Sequence, residues 1–316
     1  MQIKPADDKQ PDLGALAALL ERPNVDGPTR RRIETEIRRI RAGAAGERDA
    51  AYQIEFHSGA HAGRATIHDL RLEVGGRVSQ IDHLFINRLL DIWVLESKHF
   101  AEGVSINDHG EWTGYSGGRP YGMPSPIEQN RRHVAVVEQV FATGLVALPK
   151  RLGMVAIKPR IRSLVLVSNG ARISRPKTKA AQALVEGLET VIKVEQWAAT
   201  INRDLDTRTL AAIAKMVSEE TVQRIGRNLA ALHRPITVDW AARFGLPSVS
   251  TVSEGTLAPA PVPPPEAPST SSGDATFGAC GRPVSQAVMD YCQANTGRFG
   301  GRILCYGCQR RTGGSA

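Results

Sequence analysis

The stretch from residue 79 to residue 98 constrains the fold more than any other part of the chain. Residues 79–86 and 92–98 are rich in Ile, Leu, Val, Phe and Trp. The turn-tolerant residues Asn87 and Asp91 lie between these two apolar runs. Two such runs separated by a short turn predict an antiparallel β-hairpin.

The register of this hairpin brings four polar side chains together. A turn centred on Leu89 pairs Asp82 with Glu96 and Gln80 with Lys98. Side chains alternate between the two faces of a strand, so the four polar groups are predicted on one face. The flanking apolar residues indicate a sheet that is largely covered on both faces, where unpaired charges are costly.

Two neighbouring carboxylates with a lysine beside them suit a hard divalent ion. Mg²⁺ (or Mn²⁺) is bound by carboxylates and water, which predicts a metal site at Asp82 and Glu96 with Lys98 beside it. A structural salt-bridge cluster of the same three side chains is the alternative. His83 falls on the opposite face by alternation, which predicts a packed or hydrogen-bonded histidine.

Length and charge limit the classes of protein. The chain has 316 residues, enough for a large core and two units. No apolar run approaches membrane-spanning length, and the first residues lack the apolar core of a signal peptide, so we expect a cytoplasmic protein without a membrane partner. Its net charge of +8 is compatible with a polyanionic partner. Residues 280–316 contain five arginines and one aspartate.

Helical and strand patterns surround the hairpin. They predict helices at 13–21, 30–56 and 126–141, strands at 65–74, 162–168 and 190–194, and further helices between 195 and 232. An irregular hairpin is expected at 103–115, followed by a Gly/Pro-rich loop to residue 126. Glu47 lies near the apolar stripe of the long helix, and Gln129 lies in the first turn of the 126–141 helix, where it can face the sheet.

Composition changes sharply towards the end of the chain. Residues 247–275 are dominated by Ser, Thr, Pro, Ala and Gly, which predicts an extended linker. Residues 276–316 form a separate cysteine module that is too small to fold on an apolar core alone. A tetrahedral zinc site would stabilise it, and the candidate ligands are the chain's only cysteines: Cys280, Cys292, Cys305 and Cys308.

Only Cys305 and Cys308 have the CxxC spacing that zinc sites favour. Three thiolates with another ligand, or a module without metal, therefore stay open. A thiol redox function of Cys305 and Cys308 is a weaker alternative.

Five short motifs, in order along the chain, resemble the nuclease-related (NERD) domain. They lie within residues 46–141 and are Gly46-Glu47, His68-Asp69-Leu70, Gln80-Ile81-Asp82-His83, Glu96-Ser97-Lys98 and Ser125-Pro126-Ile127-Glu128-Gln129. That domain is placed in the PD-(D/E)xK, restriction-endonuclease-like superfamily. The tail resembles a cysteine module of some such proteins, which usually opens with CxxC, whereas Phe277 stands here at the first cysteine position.

The resemblance implies an α/β fold with an α-β-β-β-α-β core, in which helices cover both faces of a mixed sheet. It also implies that Asp82 and Glu96 bind the metal and that Lys98 is the catalytic lysine. Glu47 and Gln129 would be the polar residues contributed by the two helices. The expected domains are a 1–29 extension, a 30–246 nuclease-related domain, the 247–275 linker and the 276–316 module.

The function that follows is a metal-dependent nuclease hydrolysing phosphodiester bonds of nucleic acid, with DNA as the expected substrate. The alternative is a non-catalytic nucleic-acid-binding or interaction protein that retains a nuclease-like fold. The sequence leaves the oligomeric state open.

Overall fold

Two mixed β-sheets covered by helices make up the part of the chain that this computed structural model describes, which is residues 1–59, 61–151, 155–206, 216–247, 284, 286–305 and 308–309. The helices are α1 (Gln10–Leu20), α2 (Gly27–Ser58), α3 (Pro126–Ala142), α4 (Lys179–Leu184), α5 (Trp197–Asp206), α6 (Glu219–Ala231), α7 (Trp240–Arg243), α8 (Gln286–Ala294) and α9 (Thr296–Phe299). The strands are β1 (Gln2–Lys4), β2 (Arg64–Val74), β3 (Arg77–Asn87), β4 (Asp91–Lys98), β5 (Gly103–Ile106), β6 (Trp112–Ser116), β7 (Arg119–Met123), β8 (Lys150–Arg151), β9 (Val155–Ala156), β10 (Arg160–Val167), β11 (Arg172–Ser174) and β12 (Val191–Lys193).

The larger sheet has the strand order β1-β2-β3-β4-β10-β12. Its three central strands β2, β3 and β4 are antiparallel, and the outer pairs are parallel. Apolar residues of α3 and α6 cover one face, and those of α2 and α5 cover the other. The element order α2-β2-β3-β4-α3-β10 confirms the predicted mixed sheet with helices on both faces.

The β3–β4 hairpin has the predicted register. Its ladder pairs are His83 with Leu95, Leu84 with Val94, Phe85 with Trp93 and Ile86 with Ile92. In the turn, the Asn87 side-chain oxygen accepts from the backbone N–H groups of Leu89 and Asp91 at 2.9 and 3.1 Å. Leu90 takes a left-handed φ of 55° to complete the reversal. The predicted turn centred on Leu89 is therefore confirmed.

The second sheet corrects one expectation. Its order is β11-β5-β6-β7, and β7 lies inside the segment expected to be a Gly/Pro-rich loop. Ser116 pairs with Arg119, and the two residues between them, Gly117 and Gly118, have φ of 59° and 71°. Two consecutive glycines with positive φ form the tight turn that two-residue hairpins require. The loop prediction was wrong because this turn allows the chain to add another strand.

Described segments near the start and near the end of the chain pack against the rest of the structure. At the start, β1 pairs with β2, and α1 packs on α2 through Leu16 and Leu19. At the end, the ring of Tyr291 stacks on that of Tyr52 of α2 with a centroid separation of 3.9 Å. The Tyr52 hydroxyl also donates to Gln309 Oε1 at 2.6 Å. The described part of the cysteine module is therefore docked on α2.

Residues 248–275 of the predicted 247–275 linker and Cys280 lie outside the described residues. Among the described helices, none is long and apolar enough to cross a membrane.

A buried asparagine joins α3 to the sheet beside the hairpin. Asn130 is fully buried, and its side-chain amide donates to the backbone oxygens of Val94 and Leu164 at 2.9 Å each. The same nitrogen lies 2.9 Å from the Ser163 hydroxyl. These contacts tie α3 to β4 and β10 at once, so Asn130 fixes the height of the helix above the strands.

Replacing Asn130 with Ala should therefore destabilise the protein by about 2 kcal/mol, because buried carbonyl oxygens lose their donor. Urea unfolding monitored by circular dichroism measures this change. Arg132→Ala, at an exposed position of the same helix, is the matched control and should stay within about 0.5 kcal/mol of the wild type. Equal stability of the two variants would contradict the bridging role of Asn130.

Candidate active site

Asp82 lies where β3 and β4 separate. The β3–β4 ladder ends at His83 and Leu95, one pair before Asp82 and Glu96. Beyond that point, the Asp82 Oδ2 atom accepts from the backbone N–H of Ser97 at 2.8 Å and from its hydroxyl at 2.9 Å. The side chain of Asp82 therefore takes the place of a backbone ladder bond and is held at the open end of the hairpin.

The two oxygens of the buried Glu96 carboxylate have different neighbours. It is 1% exposed, and its Oε1 accepts from Lys98 Nζ at 2.6 Å. Its Oε2 lies 3.4 Å from His133 Nε2, and neither of these two buried atoms has a partner with hydrogen-bond geometry. The other ring nitrogen of His133 lies 2.6 Å from the Ser79 hydroxyl. One oxygen of Glu96 is therefore bound to Lys98, and the other is within ion-pair distance of His133 without a hydrogen bond of regular geometry.

The protonation of the two carboxylates differs. Burial raises the pKa of Asp82 well above its usual value, and the Glu96 carboxylate adds to the rise. Burial also acts to raise the pKa of Glu96, but His133 and Lys98 outweigh it, so the pKa of Glu96 lies below its usual value. Neighbouring acids whose pKa values are pushed apart are typical of catalytic sites.

Lys98 is positioned by a residue of α3. Its Nζ donates to Gln129 Oε1 at 3.2 Å as well as to Glu96, and 25% of its side chain is exposed. The helix begins after Ser125, whose hydroxyl accepts from the Glu128 N–H at 3.3 Å and sets the direction of the first turn. Gln129, in the first turn of α3, thus faces the sheet and contacts Lys98, as predicted from its position in the helix.

Glu47 of α2 joins the same electrostatic group. Burial raises the pKa of Glu47, and the ammonium of Lys9 opposes that rise. The charges of Glu96 and Lys98 also act on Glu47. Glu47 therefore lies within electrostatic range of Glu96 and Lys98.

A glycine permits this approach of α2. A Cβ atom at Gly46 would lie only 2.6 Å from the Cβ of His99, which directly follows β4. Two carbon atoms cannot come so close, so a larger residue at position 46 would push α2 away from the strand end. Gly46 precedes Glu47, and its small size therefore brings that carboxylate to the site.

Asp69 and Lys9 form an ion pair beside the site. Asp69 is 4% exposed with a left-handed φ of 53°, and its Oδ2 lies 2.5 Å from Lys9 Nζ. Its Oδ1 accepts from the side-chain amide of Gln80. The predicted pairing of Gln80 with Lys98 is therefore wrong. The motif around Asp69 was visible in the sequence, but nothing local pointed to the contact with Lys9.

The distortion at Asp69 explains that error. The β2–β3 ladder pairs His68 with His83 and Leu70 with Ile81, and it skips Asp69 and Asp82 between them. Ile81 packs with Leu84 in one cluster below α3, although strict alternation would separate them. The alternation of side chains between the two faces of β3 is therefore interrupted at Asp82, so the side chain of Gln80 points away from Lys98.

His83 lies outside this site, as its position in the strand predicted. It is buried, and its Nδ1 lies 2.8 Å from His68 Nδ1. His68 Nε2 in turn lies 3.1 Å from Glu55 Oε1. His83 is thus a packed, hydrogen-bonded histidine on the α2 side of the sheet.

The donor set fits a hard cation in part. The carboxylate oxygens of Asp82 and Glu96 are hard ligands of the kind that Mg²⁺ or Mn²⁺ accepts, and Glu96 Oε2 makes no hydrogen bond of regular geometry. Within the described residues, no group of three or more His, Cys, Asp or Glu side chains is arranged to hold a metal ion. Water or backbone oxygen would therefore have to complete the coordination shell.

The described cysteines have a different setting. Cys292 is 1% exposed, and its Sγ lies 3.4 Å from the Leu304 backbone nitrogen and 3.3 Å from Gln309 Nε2. Cys305 and Cys308 are partly buried in the same module. With Cys280 outside the described residues, the part of the module that is described does not show a zinc site.

Comparison with known proteins gives one match. The family model of the nuclease-related domain matches residues 42–168, which is less than half of the chain. This segment contains all five residues of the site: Glu47, Asp82, Glu96, Lys98 and Gln129. No curated protein and no solved structure matches the chain significantly. The chain thus contains a nuclease-related domain, which implies a nuclease-related function and interaction with nucleic acid.

The raised pKa of Asp82 predicts a pH-dependent stability in the absence of metal. Because the folded state binds this proton more tightly than the unfolded state, the stabilisation is present below the unfolded value of about 4 and is lost as pH rises through the folded pKa. Asp82→Asn should remove that loss, so the wild type becomes less stable relative to the variant as pH rises. Urea unfolding in EDTA across a pH series measures the difference.

Glu138→Gln, at an exposed position of α3, is the control and should follow the wild type at every pH. Parallel stability curves for the wild type and Asp82→Asn would contradict the raised pKa.

Proposed function

We propose that the protein is a metal-dependent nuclease that hydrolyses phosphodiester bonds, with DNA as its substrate. The observation that carries this proposal is the buried Glu96 carboxylate beside Asp82 and Lys98, whose Oε2 atom lies 3.4 Å from His133 Nε2 and makes no hydrogen bond of regular geometry. An incompletely paired buried charge is costly, so its presence inside a nuclease-related segment supports a cation-binding role.

Asp82 and Glu96 would hold the Mg²⁺ or Mn²⁺ ion. The Ser97 carbonyl and Glu47 would complete the shell, directly or through water. When bound, such an ion polarises the phosphate and lowers the pKa of a coordinated water.

The chain's own residues supply the remaining chemistry. Lys98 is held by Glu96 and Gln129 with its ammonium partly exposed, so it can orient a water or neutralise charge on the phosphoryl oxygens. Gln129 restrains the direction of Lys98. The Ser97 N–H and hydroxyl fix one oxygen of Asp82, which leaves the other oxygen of that carboxylate for a ligand.

Measurements of hydrolysis and of metal affinity distinguish the catalytic role of Lys98 from the metal-binding role of Glu96. Lys98→Ala should lower hydrolysis about a hundredfold or more while metal affinity is retained, because only stabilisation of the transition state is lost. Glu96→Gln should lose metal affinity and hydrolysis together. The measurements are calorimetric titration with Mg²⁺ or Mn²⁺, and incubation with single- and double-stranded DNA and RNA with either metal or EDTA.

Two surface variants control for charge alone. Lys177→Ala and Glu138→Gln, both at exposed positions, should retain wild-type hydrolysis. If Lys98→Ala unfolds the protein and no metal stabilises the wild type, the charges form a structural cluster. In that case the chain is a nucleic-acid-binding protein with a nuclease-like fold. RNA cleavage without DNA cleavage would contradict the proposed substrate.

We also propose that the cysteine module binds zinc. The CxxC pair Cys305 and Cys308 supports this, since thiolates at that spacing suit a tetrahedral site. The purified full-length protein should contain about one equivalent of zinc, and Cys305→Ser with Cys308→Ser should lose it. A zinc-free wild type that retains its fold would refute the assignment.

A further inference from the structure

A cationic cavity lies at the N-terminal end of α2, outside residues 42–168. Its volume is about 570 Å³, and its lining residues are Pro28, Arg31, Arg32, Thr35, Glu36, Arg243 and Phe244. Three arginines and one glutamate therefore line a surface cavity. Such a surplus of arginine is suited to an anionic ligand.

The one carboxylate of the cavity is already paired. Glu36 accepts two hydrogen bonds from Arg39, at 2.7 and 3.0 Å, and Arg243 lies 4.0 Å from it. Arg31 and Arg32 have no carboxylate within ion-pair distance among the described residues. The nearby Asp26 is the N-cap of α2, and its carboxylate accepts from the Thr29 N–H at 2.7 Å. Two arginines of the cavity are thus left for a ligand.

Two of the cavity arginines, Arg32 and Arg243, lie over aromatic rings. The guanidinium of Arg32 lies 5.3 Å from the centre of the Phe244 ring, and that of Arg243 lies 5.2 Å from the Trp240 ring. Trp240 is 6% exposed and donates from its indole nitrogen to Asp12 at 2.8 Å. An arginine held on an aromatic face loses less freedom when it binds a phosphate.

The same helix leads from this cavity to the candidate active site. From Arg31 to Glu47, α2 rises about 24 Å at 1.5 Å per residue. Exposed Arg38 and Arg41 lie along this path. Arg41 lines a second cavity of about 830 Å³ that also contains Glu47. The distance corresponds to about seven base pairs of duplex DNA at 3.4 Å each.

We propose that the cavity at Arg31 and Arg32 is a subsite for backbone phosphate, which holds nucleic acid about seven base pairs from the candidate active site. This inference rests on the proposed function, because it assigns the cavity to the substrate of that site. The fork of each guanidinium pairs with two phosphate oxygens. The subsite reads no base and fixes the direction in which the nucleic acid crosses α2.

The test replaces both arginines together. Arg31→Ala with Arg32→Ala should weaken binding of a 20-base-pair duplex about tenfold or more at moderate salt. The slope of log affinity against log salt should fall by about 0.9 for each lost phosphate contact. Fluorescence anisotropy in EDTA, over a series of KCl concentrations, measures both quantities without hydrolysis. Arg31→Lys with Arg32→Lys should keep the salt slope and lose part of the affinity, since charge remains and the fork is lost.

Arg224→Ala with Arg227→Ala is the matched control, because these arginines occupy exposed positions of α6 away from the cavity. This pair should leave affinity and slope at wild-type values. An unchanged slope in the Arg31 and Arg32 alanine pair overturns the subsite, as does an equal loss in the control pair. Binding of anionic phospholipid vesicles through Arg31 and Arg32, without binding of DNA, also overturns it.

Cleavage assays distinguish the subsite from the proposed function. If the wild type cleaves DNA and the alanine pair binds normally, the subsite fails alone. If no substrate is cleaved with any metal but binding depends on Arg31 and Arg32, the nuclease proposal fails and the phosphate subsite stands.

Discussion

The left-handed backbone at Asp69 determines how the polar groups of the sheet are arranged. A non-glycine residue with positive φ is uncommon, and aspartate is among the residues that tolerate it. Here it interrupts the alternation of β2 opposite Asp82, so that Asp82 leaves the ladder and its carboxylate accepts from Ser97 of β4. A regular ladder would have kept Asp82 in line with the apolar residues of β3. The opening between β3 and β4 thus depends on strain in β2.

Burial of charge is the second constraint on this region. Glu96 is held ionised by Lys98 and His133, whereas Asp82 and Glu47 are shifted towards their protonated forms by burial. The opposite shifts allow several acids to share a small volume without full mutual repulsion. A cation would relieve the remaining repulsion, which is the physical basis of the metal assignment.

Helix α2 connects the parts of the molecule. Its N-terminal half carries the arginines of the cationic cavity, its middle carries Glu47, and its C-terminal half docks the cysteine module through Tyr52. Because α2 is one continuous helix, these three regions lie at fixed distances from one another along its axis. The packing of Gly46 on His99 sets the distance of the whole helix from β4.

The sequence by itself determined the hairpin, its register and the position of α3. Alternating apolar residues, the turn around Leu89 and the helical spacing of buried residues in α3 are local signals that packing did not override. They were sufficient to bring Asp82, Glu96, Lys98 and Gln129 to one end of the sheet. Only the tertiary structure decided the partner of Gln80, the arrival of Lys9 and the docking of the tail on Tyr52. These contacts join residues far apart in the chain, and the slip at Asp69 that redirects Gln80 arises from strand pairing rather than from any local pattern.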